Sequence, residues 1–220
     1  MDERMADCYL LNRDELKLLL ILKGAKRIYG FEKLGSDELL EENAKKALFS
    51  LGQKQLLMPV GEDMHIHGKL NKILDVIVRC SYVFHVKRLH SVPASICVYE
   101  LEDSAGRVAW MEGVDEHGEV YRLGISDNMV RLLRDKEYLL EQAIADELLY
   151  KEEQIEEAES FDVLLSIEAV GIKEGRTEFV IEAGKSQPTD VLYFMNYDNM
   201  EYEYYAYSER RLEELLEKIV

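Results

Sequence analysis

The chain has 220 residues, is 47% hydrophobic and 32% charged, and carries a formal net charge of −17. A chain of this length can bury roughly 70% of its unfolded surface, so folding needs neither a metal nor disulfides, and the composition excludes disorder. The negative charge repels phosphate backbones and anionic lipid at long range, which argues against nucleic-acid and membrane partners.

Cys8, Cys80 and Cys97 form no pairing pattern and suit a reducing compartment. The acidic start "MDERMADCYLLN" lacks the basic region of a signal peptide. The apolar run at residues 18–22 is far shorter than the ~20 residues of a membrane span. A cytoplasmic protein without membrane insertion is expected. Prolines are few and no Pro/Gly/Ser-rich linker interrupts the chain, so we expect one domain with two lobes, about residues 1–138 and 139–220.

In chain order, Asn12 with Glu15 predicts a capping box, opening a helix that stops near Gly24. Ser36-Asp37-Glu38 marks a second start, and Leu39, Leu40, Ala44, Ala47, Leu48 and Leu51 keep helical spacing behind it. "MPVGEDMHIHGKL" predicts a hairpin turning at Gly61-Glu62-Asp63. "NKILDVIVRCSYVF" predicts a buried helix, although its Val and Ile content leaves a strand open.

From Ser95 the period changes to two. "ICVYELED", "GRVAWMEGVD" and "GEVYRLGIS" predict three antiparallel strands, after which a helical period runs from Ser126 for over thirty residues. The alternation then returns in "FDVLLSIEAVGI", "RTEFVIEAG", "DVLYFMNY" and "MEYEYYAYS", and "SERRLEELLEKIV" closes the chain as a helix. A β-meander followed by a serine-capped helix thus occurs twice. The fold class is α+β, with antiparallel meanders in pseudo-duplicated meander–helix halves.

No phosphate-binding glycine loop, nucleophile elbow or reactive-cysteine motif is present. His65 and His67 would share one face of a strand, as a metal chelate requires, but nothing fixes a third ligand among His85, His90 and Asp63. We therefore assign no catalytic residue, no metal and no cofactor, and expect a protein that is not an enzyme. Two other readings stay open. Helix, helix, hairpin over residues 10–68 is the outline of a winged-helix regulator, though Asp37, Glu38, Glu41 and Glu42 stand where such a helix meets bases. The other is a small-molecule enzyme, which would require an acid-lined pocket.

The stretch "YFMNYDNMEYEYYAYS" resolves into two faces if Asp198-Asn199 is a turn. Tyr193, Met195, Tyr197, Met200, Tyr202 and Tyr204 fall on one face, which we expect to be core. Phe194, Glu201, Glu203, Tyr205 and Tyr207 belong to the other. Of these, Glu201, Glu203, Tyr205 and Tyr207 are the candidate partner-binding residues. The alternative is that the closing helix, with Leu212, Leu215, Leu216 and Ile219, covers Phe194, Tyr205 and Tyr207.

The run "LNRDELKLLLILKGAKRIYGF", then "EENAKKALFSLGQKQLL" and "HIHGKLNKILDVIVRCSYVF", resembles the N-terminal part of the EspG family, cytosolic chaperones of ESX (type VII) secretion. "GRVAWMEGVDEHGEVYRL" and the leucine-rich helix after it look like that family's first meander and helix. The final-strand arginine motif of the mycobacterial members has no counterpart here. The resemblance implies a non-enzymatic α+β protein that binds the exposed tip of a helical-hairpin substrate, of the WXG or LXG type, and keeps it soluble for export.

Overall fold

The computed structural model describes residues 8–25, 39–61, 63–89, 94–101, 107–114, 119–140, 161–185 and 190–219. Strand β1 (Tyr9–Asn12) runs directly into α1 (Arg13–Leu22). Asn12 accepts the Glu15 N–H at 2.9 Å while the Glu15 carboxylate accepts the Asn12 N–H at 2.8 Å. This is the expected capping box, and it satisfies two N–H groups that a first helical turn leaves unpaired.

Next come α2 (Glu41–Gln53), β2 (Leu57–Val60), β3 (Asp63–Ile66) and α3 (Gly68–Arg79). The proposed start at Ser36-Asp37-Glu38 lies outside the described residues. β2 and β3 form the expected hairpin. "NKILDVIVRCSYVF" is not one helix. The chain leaves α3 at Cys80 in an extended conformation and becomes β4 (Tyr82–Arg88). The Val and Ile residues that left a strand open, Ile73, Val76, Ile77 and Val78, are helical in α3; the strand begins only at Tyr82, where the chain finds a partner strand to pair with.

The first meander is β5 (Ala94–Glu100), β6 (Val108–Gly113) and β7 (Val120–Ser126), followed by α4 (Met129–Asp135). Ser126 is the last residue of β7 and not a cap; Asn128 caps α4 by accepting the Arg131 N–H at 2.7 Å. α4 is short, and residues 141–160 of the long helical pattern lie outside the described residues. The second meander is β8 (Asp162–Gly171), β9 (Arg176–Lys185), β10 (Val191–Asn196) and β11 (Glu201–Ala206). α5 (Glu209–Ile219) follows, and here the serine cap holds: Ser208 Oγ accepts the Arg211 N–H at 3.1 Å.

Three helices end in one backbone device. In α1 the Gly24 N–H reaches Ile21 O at 2.9 Å and the Ala25 N–H reaches Leu20 O at 3.0 Å, with Gly24 at φ 72. α2 and α4 close in the same Schellman turn, but with Gln55 at φ 57 and Glu137 at φ 60 in the left-handed position. A side chain there costs more than glycine. Gln55→Gly and Glu137→Gly should each therefore raise stability by about 0.5–1 kcal/mol, less what glycine adds to unfolded-chain entropy. Urea unfolding should show higher midpoints at unchanged slope; lower midpoints would contradict this.

The chain divides into two compact units, Met1–Cys80 with Cys97–Ser126, and Ser81–Ile96 with Asp127–Val220. The first has antiparallel strand order β1-β7-β6-β5. One sheet face buries Leu11, Tyr99, Met111, Tyr121 and Leu123 together with the α1 and α3 stripes of Leu16, Leu19, Leu20, Leu70, Ile73 and Leu74. On the other, the Trp110 ring occupies the space above Gly124, where a Cβ would stand 2.5 Å from ring carbons. The second unit has antiparallel order β4-β8-β9-β10-β11, with α4 and α5. The fold is α+β, built from antiparallel meanders each followed by a helix.

Candidate functional site: the open face of the second sheet

The tyrosine-rich hairpin has the register expected from its sequence: Val191 pairs with Ala206, Tyr193 with Tyr204, Met195 with Tyr202 and Asn196 with Glu201. The turn, however, takes four residues, Tyr197 to Met200, because Met200 adopts φ 58. Asn196 accepts the Asp198 N–H at 2.9 Å, and Arg176 holds Asp198 at 2.7 Å from the start of β9.

The face expected to be core is half-buried at Tyr193, Met195 and Tyr204 and exposed at Tyr197, Met200 and Tyr202. Phe194 and Tyr205 are buried, as the alternative of a covering helix has it. Leu192 is 0% exposed, Phe194 8% and Tyr205 7%, while Tyr197, Met200 and Tyr202 are 46%, 66% and 54% exposed. Helix α5 decides this. Leu212, Leu215, Leu216 and Ile219 are all buried, and each contributes roughly 1.5–3 kcal/mol when removed from water. The Arg211 guanidinium lies 4.8 Å from the Tyr205 ring centre, and Lys218 reaches Glu203 at 3.9 Å. The α5 face continues across Ile181, Ala183, Leu165, Ile167, Phe84 and Val86, which are buried throughout.

The four residues singled out for partner binding therefore separate. Tyr205 lies beneath α5 and donates its hydroxyl to Glu203; burial, then that carboxylate, pushes its phenol up to about 12. Tyr207 is half-buried, and burial pushes its phenol up to about 12. Glu203 is half-buried. Glu201 alone is exposed, and it accepts a bond from Asn199 Nδ2 at 2.6 Å.

The face left open carries Tyr193, Tyr202 and Tyr204. Ring centres are 5.1 Å apart for Tyr193–Tyr204, 6.5 Å for Tyr193–Tyr202 and 6.0 Å for Tyr202–Tyr204, the last pair edge-on. These separations suit mutually attractive aromatic quadrupoles, so the cluster is a preformed surface. Met195 extends it. Glu182 on β9 is paired directly with Tyr193, and Glu168 on β8 lies beyond it, ion-paired with Lys87 at 3.3 Å. Glu182 has no hydrogen-bond or ion-pair partner among the described residues; burial, then the Glu168 charge, raises its carboxyl above the usual range. Burial and the surrounding rings raise the Tyr193 phenol similarly. The surface offers aromatic carbon, hydroxyls and a carboxylate that no described cation compensates. Sequence reasoning missed it because Glu182 stands in "FVIEAG", distant from the tyrosines until strand pairing brings them together.

The other sequence candidates do not assemble. His67 precedes α3, with its Nδ1 3.1 Å from the Tyr9 hydroxyl, while His65 is exposed on β3 opposite Met58. Among the described residues no three His, Cys, Asp or Glu side chains come together as a metal group. Burial pushes the Cys80 thiol up to about 12, which suppresses its thiolate. Among the described residues no helix is long and apolar enough to cross a membrane.

The chain is similar to a solved structure, that of the Mycobacterium tuberculosis type VII secretion system chaperone EspG5 in complex with a PE25–PPE41 dimer. The TM-score is 0.55 at 6% sequence identity, covering 96% of this chain and 94% of that chain. No family model matches, and no curated protein matches. At that identity the likeness is one of fold, and it agrees with the α+β architecture expected from the element order.

Proposed function

We propose that this chain is a non-enzymatic cytoplasmic binding protein that chaperones a helical secretion substrate. The substrate is a helical hairpin of the WXG or LXG type, held soluble by its exposed tip until export. The observation that supports this best is the likeness in fold, over nearly all of both chains, to a type VII secretion chaperone. The open aromatic face gives such a chaperone a surface to use. Amphipathic surfaces built on tyrosine and methionine contribute large contact area at low entropic cost and suit protein partners.

Co-expression with the small helical proteins encoded beside its gene tests the reading. A stoichiometric complex should co-purify, and the partner's soluble yield should fall several-fold when this chain is omitted. If none co-purifies and no yield changes, the chaperone reading fails. Retention on heparin at low salt, lost as salt rises, would instead support a nucleic-acid-binding protein.

A further inference from the structure

We infer that the open face of the second sheet recognises an arginine side chain on its protein partner, seated between the rings of Tyr193, Tyr202 and Tyr204 and the Glu182 carboxylate. This inference rests on the reading of that face as a partner surface and adds the chemistry that it selects.

Three observations carry it. The rings of Tyr193, Tyr202 and Tyr204 lie within 6.5 Å of one another, centre to centre, and Tyr202 is 54% exposed. Ring faces attract a cation brought within about 6 Å, more strongly once water is excluded. Glu182 lies on the same face, opposite Tyr193 in the strand register, where directly paired side chains stand about 5 Å apart at Cβ. It is half-buried and without a cationic partner among the described residues, whereas Glu168 has Lys87 at 3.3 Å. The face thus presents an acid that no described cation pairs, beside a surface that attracts cations. The net charge of −17 adds long-range attraction for a basic segment.

Arginine fits better than lysine. Its planar guanidinium stacks on a ring while donating two parallel hydrogen bonds to one carboxylate, and it gives up hydration more readily. A compact ammonium meets only one of these requirements at a time.

The test uses three blocked, alanine-based helical peptides, identical except for a central Leu-Arg-Leu, Leu-Lys-Leu or Leu-Gln-Leu. They are titrated into the full chain with labelled tyrosines and followed by NMR. The arginine peptide should shift the ring signals of Tyr193, Tyr202 and Tyr204 saturably. It should also bind about tenfold more tightly than the glutamine peptide, with lysine between them. Glu182→Gln, which preserves shape, should bring all three within about twofold while leaving the circular dichroism unchanged. Tyr202→Ala, at an exposed position, should weaken the arginine peptide most. Equal binding of the arginine and glutamine peptides would overturn the inference, as would arginine–lysine equivalence, absence of saturable shifts, or a preference that survives Glu182→Gln. Such a failure leaves any co-purifying helical partner standing. Conversely, an arginine preference measured without a co-purifying partner would retain this site and remove the chaperone reading.

Discussion

Glu15→Ala is expected to lower the stability of the chain by about 3 kcal/mol, read as a reduced urea midpoint. Glu15 is fully buried, and its two oxygens bind three donor groups through four contacts. The Asn12 N–H donates at 2.8 Å, the Ser50 hydroxyl at 2.6 Å, and Lys54 Nζ at 2.7 Å and 2.8 Å to the two oxygens. One carboxylate therefore caps α1 and ties it to the end of α2. Breaking a buried ion pair costs about 3–5 kcal/mol; the lower end applies because the Lys54 side chain, 41% exposed, returns to water.

The pH dependence follows with a definite sign. Burial alone would raise the Glu15 carboxyl, but Lys54, Ser50 and the Asn12 N–H outweigh it and hold it below the ordinary 4.5. A lowered folded pKa contributes stability above the unfolded pKa and loses it as pH falls through the folded one. The gap between wild type and Glu15→Ala should narrow on acidification below about 4.5. A variant unfolding at the wild-type midpoint near neutral pH would contradict this.

Glu100→Gln should act in the opposite direction. Glu100 is 9% exposed at the end of β5, with no hydrogen-bond or ion-pair partner among the described residues, and burial pushes its carboxyl up to about 7. A raised folded pKa means that the folded chain holds a proton the unfolded chain has released. Stability is retained below about 4.5 and lost as pH rises to about 7. The shift corresponds to about 3 kcal/mol as an upper bound. Glu100→Gln should therefore be the more stable chain by about 2–3 kcal/mol near pH 8, and close to wild type near pH 4. Urea titrations at both pH values measure the difference. A gain of equal size at both, or none near pH 8, would exclude a buried neutral acid.

Features fixed by neighbours in sequence were legible before the structure. Asn12 and Glu15 are three residues apart, and their capping box is present. The register of Val191–Asn196 against Glu201–Ala206 follows from the position of the turn and agrees pair by pair, while Tyr197 and Met200, expected to pair, belong to the turn. Other features depended on contacts that sequence spacing does not encode. Both faces of the tyrosine hairpin carry rings, so alternation alone could not say which is buried; the Leu212, Leu215, Leu216 and Ile219 stripe of α5 selected the Phe194–Tyr205 face. The stretch 71–84 was ambiguous between helix and strand: its Ile73–Val78 run is helical in α3, and only the residues from Tyr82 pair with β8 as β4. Ser126 matched a cap by type, but Asn128 stands two residues nearer the helix and captures the N–H. Glu182 became a site residue only when strand pairing set it beside Tyr193.

The role proposed for the open tyrosine face of the second unit is to bind the protein partner. Its most direct test compares recovery of a co-expressed helical partner by the wild-type chain and by Tyr202→Asp. That substitution sits at a position 54% exposed, puts a charge into the ring cluster, and should leave the thermal midpoint unchanged. The wild-type chain should retain the partner through gel filtration and the variant should lose it at least about tenfold. Equal recovery by the two chains would contradict the claim.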